Sequence, residues 1–173
     1  MDSTALNTNT LAFIALCNEY CVAMEQARES EREDFVRSML RLLPRIYISA
    51  TDLKTDLGQS EEAYLESALE EDYYESVRCS VENMLGPDDV YLEVFEDDMK
   101  YSDTPIAASV SEGLADIFQV LYNFVVMVKE SPEELVEMAV VAVKDEFQSY
   151  WGQRLCNVMR ALHSINYDMT DNQ

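Results

Sequence analysis

The sequence predicts an all-α protein, an up-and-down helical bundle of about five to six helices that ends in a long antiparallel helix hairpin. Three observations point there. Only four Gly and four Pro punctuate 173 residues, too few for a protein built of short strands and tight turns. Apolar residues recur at steps of three and four through most of the chain, the period of a helix with one buried stripe. The two most apolar stretches are separated only by Glu130 and Ser131, which forces two long helices to fold back on each other. A chain of this length is expected to form one domain, residues 1–173, and to bury roughly 70% of its unfolded surface.

Taken in order, the first helix is expected from about Thr10 to Ala27, with Leu11, Ile14, Ala15, Val22 and Met24 among its apolar positions and Thr8, Asn9 or Thr10 as its cap. Cys17 and Cys21 lie one turn apart on it. Two thiols at that spacing could ligate a metal, but free cysteine is among the most buried residue types, so packing is the expectation.

A second helix carries Phe35, Val36, Met39, Leu40, Leu42 and Leu43 up to Pro44. Proline removes a backbone donor and clashes with the preceding turn, so a kink or restart is expected there, with Ile46 to Leu53 on a second segment laid across the hairpin. Half of the chain's bases, Arg28, Arg32, Arg37, Arg41, Arg45 and Lys54, fall in this region. Arg37, Arg41 and Arg45 would share a face at four-residue steps. They either pair with the acidic surplus or form a face for an anion or a phosphorylated partner.

A turn at Gly58, Gln59 and Ser60 precedes a third, strongly acidic helix expected from Glu61 to Leu85, ended by Gly86 and Pro87. Asp88 to Thr104 is the least helical part. Val90, Leu92 and Val94 alternate with Tyr91, Glu93 and Phe95, which fits a short extended stretch or a helical turn before an acidic connector. Its carboxylates lack the order of a calcium loop.

Thr104 and Pro105 offer a cap and first-turn proline for a fourth helix to about Lys129. Its polar positions Glu112, Asp116, Gln119 and Asn123 line one face, either in water or as a buried polar seam. The last helix, Ser131 to Ile165, opens with a capping box of Ser131 and Glu134 around Pro132 and runs for roughly nine turns. Its stripe is Val136, Val140, Val143, Phe147, Trp151, Leu155, Val158, Leu162 and Ile165. Lys144 is the odd residue there, expected to snorkel to solvent or to pair with Glu137.

Charge and chemistry narrow the function. With 34 acids against 12 bases and a formal charge of -22, neither nucleic acid nor an anionic membrane is an expected partner, because both need Lys and Arg to displace counterions. A basic protein partner is compatible. Met1 to Thr10 holds no base for a secretory signal. Uninterrupted apolar runs such as Met138 to Val143 fall far short of the roughly 20 residues of a membrane span. Four cysteines without a disulfide or zinc signature fit a reducing compartment, so a cytoplasmic location is expected.

One histidine, His163, leaves little room for a catalytic triad and none for two Glu-x-x-His pairs of a di-iron bundle. No glycine-rich nucleotide loop is present. Glu-x-x-Glu pieces such as Glu93 with Glu96 and Glu130 with Glu133 match fragments of a magnesium pyrophosphohydrolase pattern, but not its order or spacing. No cofactor, metal or catalytic residue is assigned. The leading expectation is a non-enzymatic interaction or regulatory module with an acidic surface. The alternative is an enzyme or small-ligand sensor with a polar pocket between the last two helices, lined by Glu112, Asp116, Gln119, Glu137, Lys144, Gln148, Trp151 and Arg154.

Leu43-Pro44-Arg45-Ile46-Tyr47-Ile48, the run from Asp98 to Pro105, Tyr150-Trp151-Gly152-Gln153 and Arg160-Ala161-Leu162-His163 are similar to a bacterial family of small all-helical acidic proteins classed as a domain of unknown function. The resemblance covers nearly the whole chain. It implies the helical fold and brings no reaction, ligand or catalytic residue with it.

Overall fold

Residues 6–55, 63–93 and 106–171 are described by the structure, a computed structural model, with side chains described as far as residue 168. The elements run α1 (Thr8–Glu25), α2 (Arg32–Thr51), α3 (Glu71–Leu85), β1 (Val90–Glu93), β2 (Ile106–Ser109), α4 (Val110–Glu130), α5 (Glu133–Glu146), a π-helical turn (Phe147–Trp151) and α6 (Gly152–Asp171). The all-α bundle holds. Helix α4 lies at its centre, packed against α1, α3, α5 and α6, while α2 packs on α1 and α6.

Helix α1 starts on Asn7, whose side chain accepts from the Thr10 amide, rather than on Thr8, Asn9 or Thr10. Its buried face is Thr10, Phe13, Cys17, Tyr20, Cys21 and Met24. Both thiols are packed. Leu11, Ala15 and Val22, expected inside, are exposed. Apolar residues occur on both sides of this helix, and the aromatic rings decide which side turns inward because they bury the most area.

Helix α2 runs from Arg32 to Thr51 with Pro44 inside it, so the chain does not restart there, one of the two outcomes expected at the proline. Interior proline costs roughly 3 kcal/mol, but Leu42, Leu43, Ile46 and Ala50 around it are all buried, and burial of each large one contributes about 1.5–3 kcal/mol. The packing outweighs the missing bond. At the start of α2, Arg32 donates to the Leu85 carbonyl at 2.9 Å and pairs with Asp88, so a cation closes the C-terminal end of α3.

The third helix begins at Glu71, ten residues later than expected. Residues 63–70 are not helical. Asn123 explains part of this: its Oδ1 accepts from the amides of Ala68 and Leu69 at 2.9 and 3.0 Å, tying that backbone to α4 in a non-helical path. Asn123 is itself buried, so the polar row on α4 does not simply face water.

The least helical stretch resolves into extended backbone. Strand β1 pairs antiparallel with β2, Val90 opposite Ser109 and Glu93 opposite Ile106; the proposed acidic connector, Thr104 and Pro105 lie outside the described residues. Helix α4 accordingly starts at Val110, capped by Ser109, whose side chain accepts from the Glu112 amide. Buried Asp89 adds to the cap by accepting from the Ser111 amide and hydroxyl, both at 2.7 Å, a carboxylate where the helix dipole favours one. Helix α4 is long and apolar enough to cross a membrane, and 67% of its most apolar window is buried inside the bundle.

Helices α4 and α5 form the expected hairpin, but the turn differs in detail. Pro132 stands at the cap position with no side-chain cap bond, and its carbonyl receives the Leu135 and Val136 amides. The capping box is absent. The long final helix is also not uniform: the π-turn divides α5 from α6. Gly113 lets α6 approach α4 closely, since a Cβ there would stand 2.4 Å from Val158 Cγ1.

Candidate functional site

Three helices bring polar side chains together around Asp116 on α4. Tyr74, on α3, donates its hydroxyl to Asp116 Oδ1 at 2.6 Å. Arg154, on α6, places Nη1 3.6 Å from Asp116 Oδ2, and its Cζ lies 4.7 Å above the centre of the Tyr150 ring. Glu112, one turn before Asp116 on the same helix face, is exposed and near enough to Tyr74 to act on its phenol.

The π-turn sets this geometry. A turn closed by i to i−5 bonds inserts an extra residue into the helix, and here the Gly152 amide donates to the Phe147 carbonyl. Tyr150 inside the turn and Arg154 just after it reach the Asp116 side of the bundle. Trp151 points the other way. It is fully buried, its Nε1 donates to the Val143 carbonyl at 2.9 Å, and its ring meets Phe147 and Phe13.

The outcome for the predicted pocket is therefore mixed. Asp116 and Arg154 meet, and Glu112 stands beside them. Trp151 is fully buried in the core, with its ring against Phe147 and Phe13. Gln119 and Gln148 are exposed, and Glu137 and Lys144 are half-buried on α5. Lys144 makes no ion pair among the described residues. Tyr74 and Tyr150 were not among the predicted residues; tyrosines at helical spacing read as core until their hydroxyls find a partner.

On α2, Arg37, Arg41 and Arg45 are all exposed. Arg45 pairs with Glu19 at 3.6 Å, with both side chains more than half exposed, a contact worth about 0–1 kcal/mol. Arg37 and Arg41 have no ion-pair partner among the described residues. Among those residues, no group of three His, Cys, Asp or Glu side chains could hold a metal ion.

Burial also marks the phenols. Tyr73 is pushed up to about 12 by burial and by Glu25 beside it. Tyr74 rises further through burial and its bond to Asp116, and Tyr20, enclosed and donating to the Leu114 carbonyl at 2.6 Å, is raised by burial. Each folded value lies above the unfolded one, so the folded chain holds these protons more tightly. Their contribution to stability is whole below the unfolded value of about 10 and is lost as pH climbs through the folded values. In an alkaline absorbance titration Tyr20, Tyr73 and Tyr74 should ionise only above the unfolded value of about 10, and the melting temperature should fall as the pH rises beyond it. Simultaneous ionisation of all ten tyrosines in the folded protein would contradict the burial described.

Comparison with known proteins comes to the same fold. The chain is similar to a Bacteroides fragilis protein whose crystal structure was determined as a structural-genomics target, with 29% identity over 95% of this chain and 96% of that one and a TM-score of 0.82. No curated protein matches it. The family model described as Domain of unknown function (DUF5063) matches residues 4–168, nearly the whole helical bundle. By that match the chain belongs to the DUF5063 family.

Proposed function

We propose that the protein is a non-enzymatic, cytoplasmic interaction or regulatory module that offers an acidic surface to a basic protein partner, and that it engages neither nucleic acid nor membrane. One observation carries this reading: the exposed acids of α3 outnumber its one base. Glu70 and the α3 residues Glu71, Asp72, Glu75 and Glu82 are exposed, and within α3 only Arg78 answers them, bridging Glu75 and Glu82. Arg37 and Arg41 stand exposed on a different helix, α2. An unneutralised acidic face steers a basic partner over distances that salt shortens.

The test is capture of partners on the immobilised protein at about 0.05 M and about 0.5 M salt. A partner should be retained at low salt, released at high salt, and lost at low salt from a variant carrying Glu70→Gln, Glu71→Gln and Asp72→Asn. Binding that ignores both changes would sink the acidic-face reading. A second reading, a small-ligand sensor or enzyme with a polar pocket, is favoured by the meeting of Asp116 and Arg154 at 3.6 Å.

A further inference from the structure

Helix α1 is apolar on two sides. One side carries Phe13, Cys17, Tyr20 and Met24 into the core, and of the helix's 18 residues only Glu19 and Glu25 are charged. A helix apolar all round is ordinarily covered all round. Yet Leu11 is 53% exposed and Val22 47%, and Ala15 and Asn18 between them are exposed as well. These four stand at steps of four, three and four, the spacing of a seam along which one helix packs on another. The neighbouring helix widens the patch: Asn9 Nδ2 donates to the Asp52 carbonyl at 3.1 Å and Arg45 pairs with Glu19, so α2 runs antiparallel beside α1. Ile48, between those two contacts along α2, is 62% exposed.

Two properties of the seam say what would cover it. The first is symmetry. Leu11 and Val22 are equidistant in sequence from the point between Leu16 and Cys17, and so are Ala15 and Asn18. Two copies of α1 laid antiparallel about a twofold axis at that point match Leu11 with Val22 and Ala15 with Asn18, each pairing made twice, as an isologous interface requires. Ala15 is small enough to let the two helix axes approach to about 8 Å. The second property is charge. Two chains of formal charge -22 repel each other over most of their surfaces. Helices α1 and α2 together hold four acids and four bases, so their charges cancel, and the seam itself holds none. A second copy can approach here without the repulsion it meets elsewhere, whereas a strongly basic partner gains nothing here.

We propose that the exposed face of α1 is the interface of a symmetric homodimer, with Leu11, Ala15, Asn18 and Val22 of each copy packed antiparallel and Ile48 at the edge. The proposal uses no residue of α3 and stands apart from the acidic-face reading. So few residues a side place the interface at the small end of specific contacts, below about 1,200 Å². The dimer is therefore weak and reversible, forming at about 10–100 µM.

The experiment is sedimentation velocity on the whole chain from about 5 to about 500 µM, at about 0.1 M and about 0.5 M salt. The mass should rise from one chain toward two with concentration, and more readily at the higher salt, because salt screens the repulsion between copies. That dependence is opposite to the one expected for a basic partner. Ala15→Glu sets two carboxylates at the middle of the seam and should weaken the dimer about tenfold or more, and adding Asn18→Lys to it places opposite charges across the axis and should restore it. Leu11→Ser removes apolar area without adding charge and should weaken the dimer about threefold or more, while Asp72→Asn on α3 should leave it unchanged. Circular dichroism checks that each variant is folded. A chain that stays monomeric to about 500 µM at both salts would overturn the proposal, as would a dimer that Leu11→Ser and Ala15→Glu both leave intact. A dimer broken by Ala15→Glu and not restored by Asn18→Lys would overturn the antiparallel register.

Discussion

Trp151→Ala is expected to cost about 3–5 kcal/mol of stability, the range for deleting a large aromatic side chain from a core. The indole is fully buried, 4.6 Å from the Phe147 ring and 6.2 Å from Phe13, which in turn lies 5.5 Å from Phe124. One side chain thus joins α1, α4 and the π-turn. Two effects contribute, and the cavity dominates: the Nε1 bond to Val143 is worth about 1 kcal/mol net, less than the unfilled space. Trp151→Phe separates them, since it keeps part of the volume and drops the bond, and should cost clearly less than the alanine change. Because Trp151 is the single tryptophan, urea unfolding has to be followed by far-UV circular dichroism. A loss under about 1 kcal/mol in the alanine variant would mean that this ring is not the centre of the core.

How much of this was legible depends on whether a feature is set locally or by a distant partner. The hairpin of α4 and α5 and the stripe from Val136 to Ile165 follow from periodicity, and every stripe residue is buried. The start of α3 was missed because Asn123, more than fifty residues away, captures the Ala68 and Leu69 amides; no local propensity reports that. The start of α4 was placed early because Thr104 and Pro105 make a good local start signal, whereas pairing of β1 with β2 holds residues 106–109 extended. The inward face of α1 was misjudged because Leu11, Ala15 and Val22 are as apolar as their neighbours across the helix. At the site, Glu112, Asp116 and Arg154 could be grouped from same-face spacing and facing helices. Tyr74 could not, since it arrives from a third helix.

The π-turn did leave a trace. From Val143 through Phe147 and Trp151 to Leu155 the stripe advances by four residues three times in succession. On a regular α-helix each such step drifts by about 40°, so three would carry Leu155 well away from Val143's direction. A turn of about 4.4 residues absorbs the drift, and all four residues are buried. Gly152, directly after the turn, is the second trace. Together they would have shown that Tyr150 and Arg154 do not point where an unbroken helix sends them.

Gly152→Ala should therefore be destabilising although alanine is the better helix former. Its Cβ would stand 2.5 Å from the Phe147 carbonyl oxygen and 2.9 and 3.0 Å from two carbons of the Phe147 ring. The first is backbone, held by the bond from the Gly152 amide itself, and the ring is clamped between Trp151 and Tyr47. Neither can yield cheaply. Overpacking of this kind costs about 1–3 kcal/mol, and with two neighbours that cannot yield the upper end applies, about 3 kcal/mol against a propensity gain of about 1 kcal/mol, so a net loss of about 2 kcal/mol is expected by urea unfolding. Gly86→Ala is a useful contrast: φ and ψ there are 57° and -132°, outside the left-handed helical region, yet nothing lies within 4 Å of the added carbon, so backbone strain of about 1–3 kcal/mol opposes it and no clash does. The two variants differ in reach. Strain at Gly86 stays at the end of α3, whereas relief at Gly152 must shift the π-turn, and with it Tyr150 and Arg154 relative to Asp116. A Gly152→Ala protein as stable as its parent would show that the close carbonyl approach is not what the glycine serves.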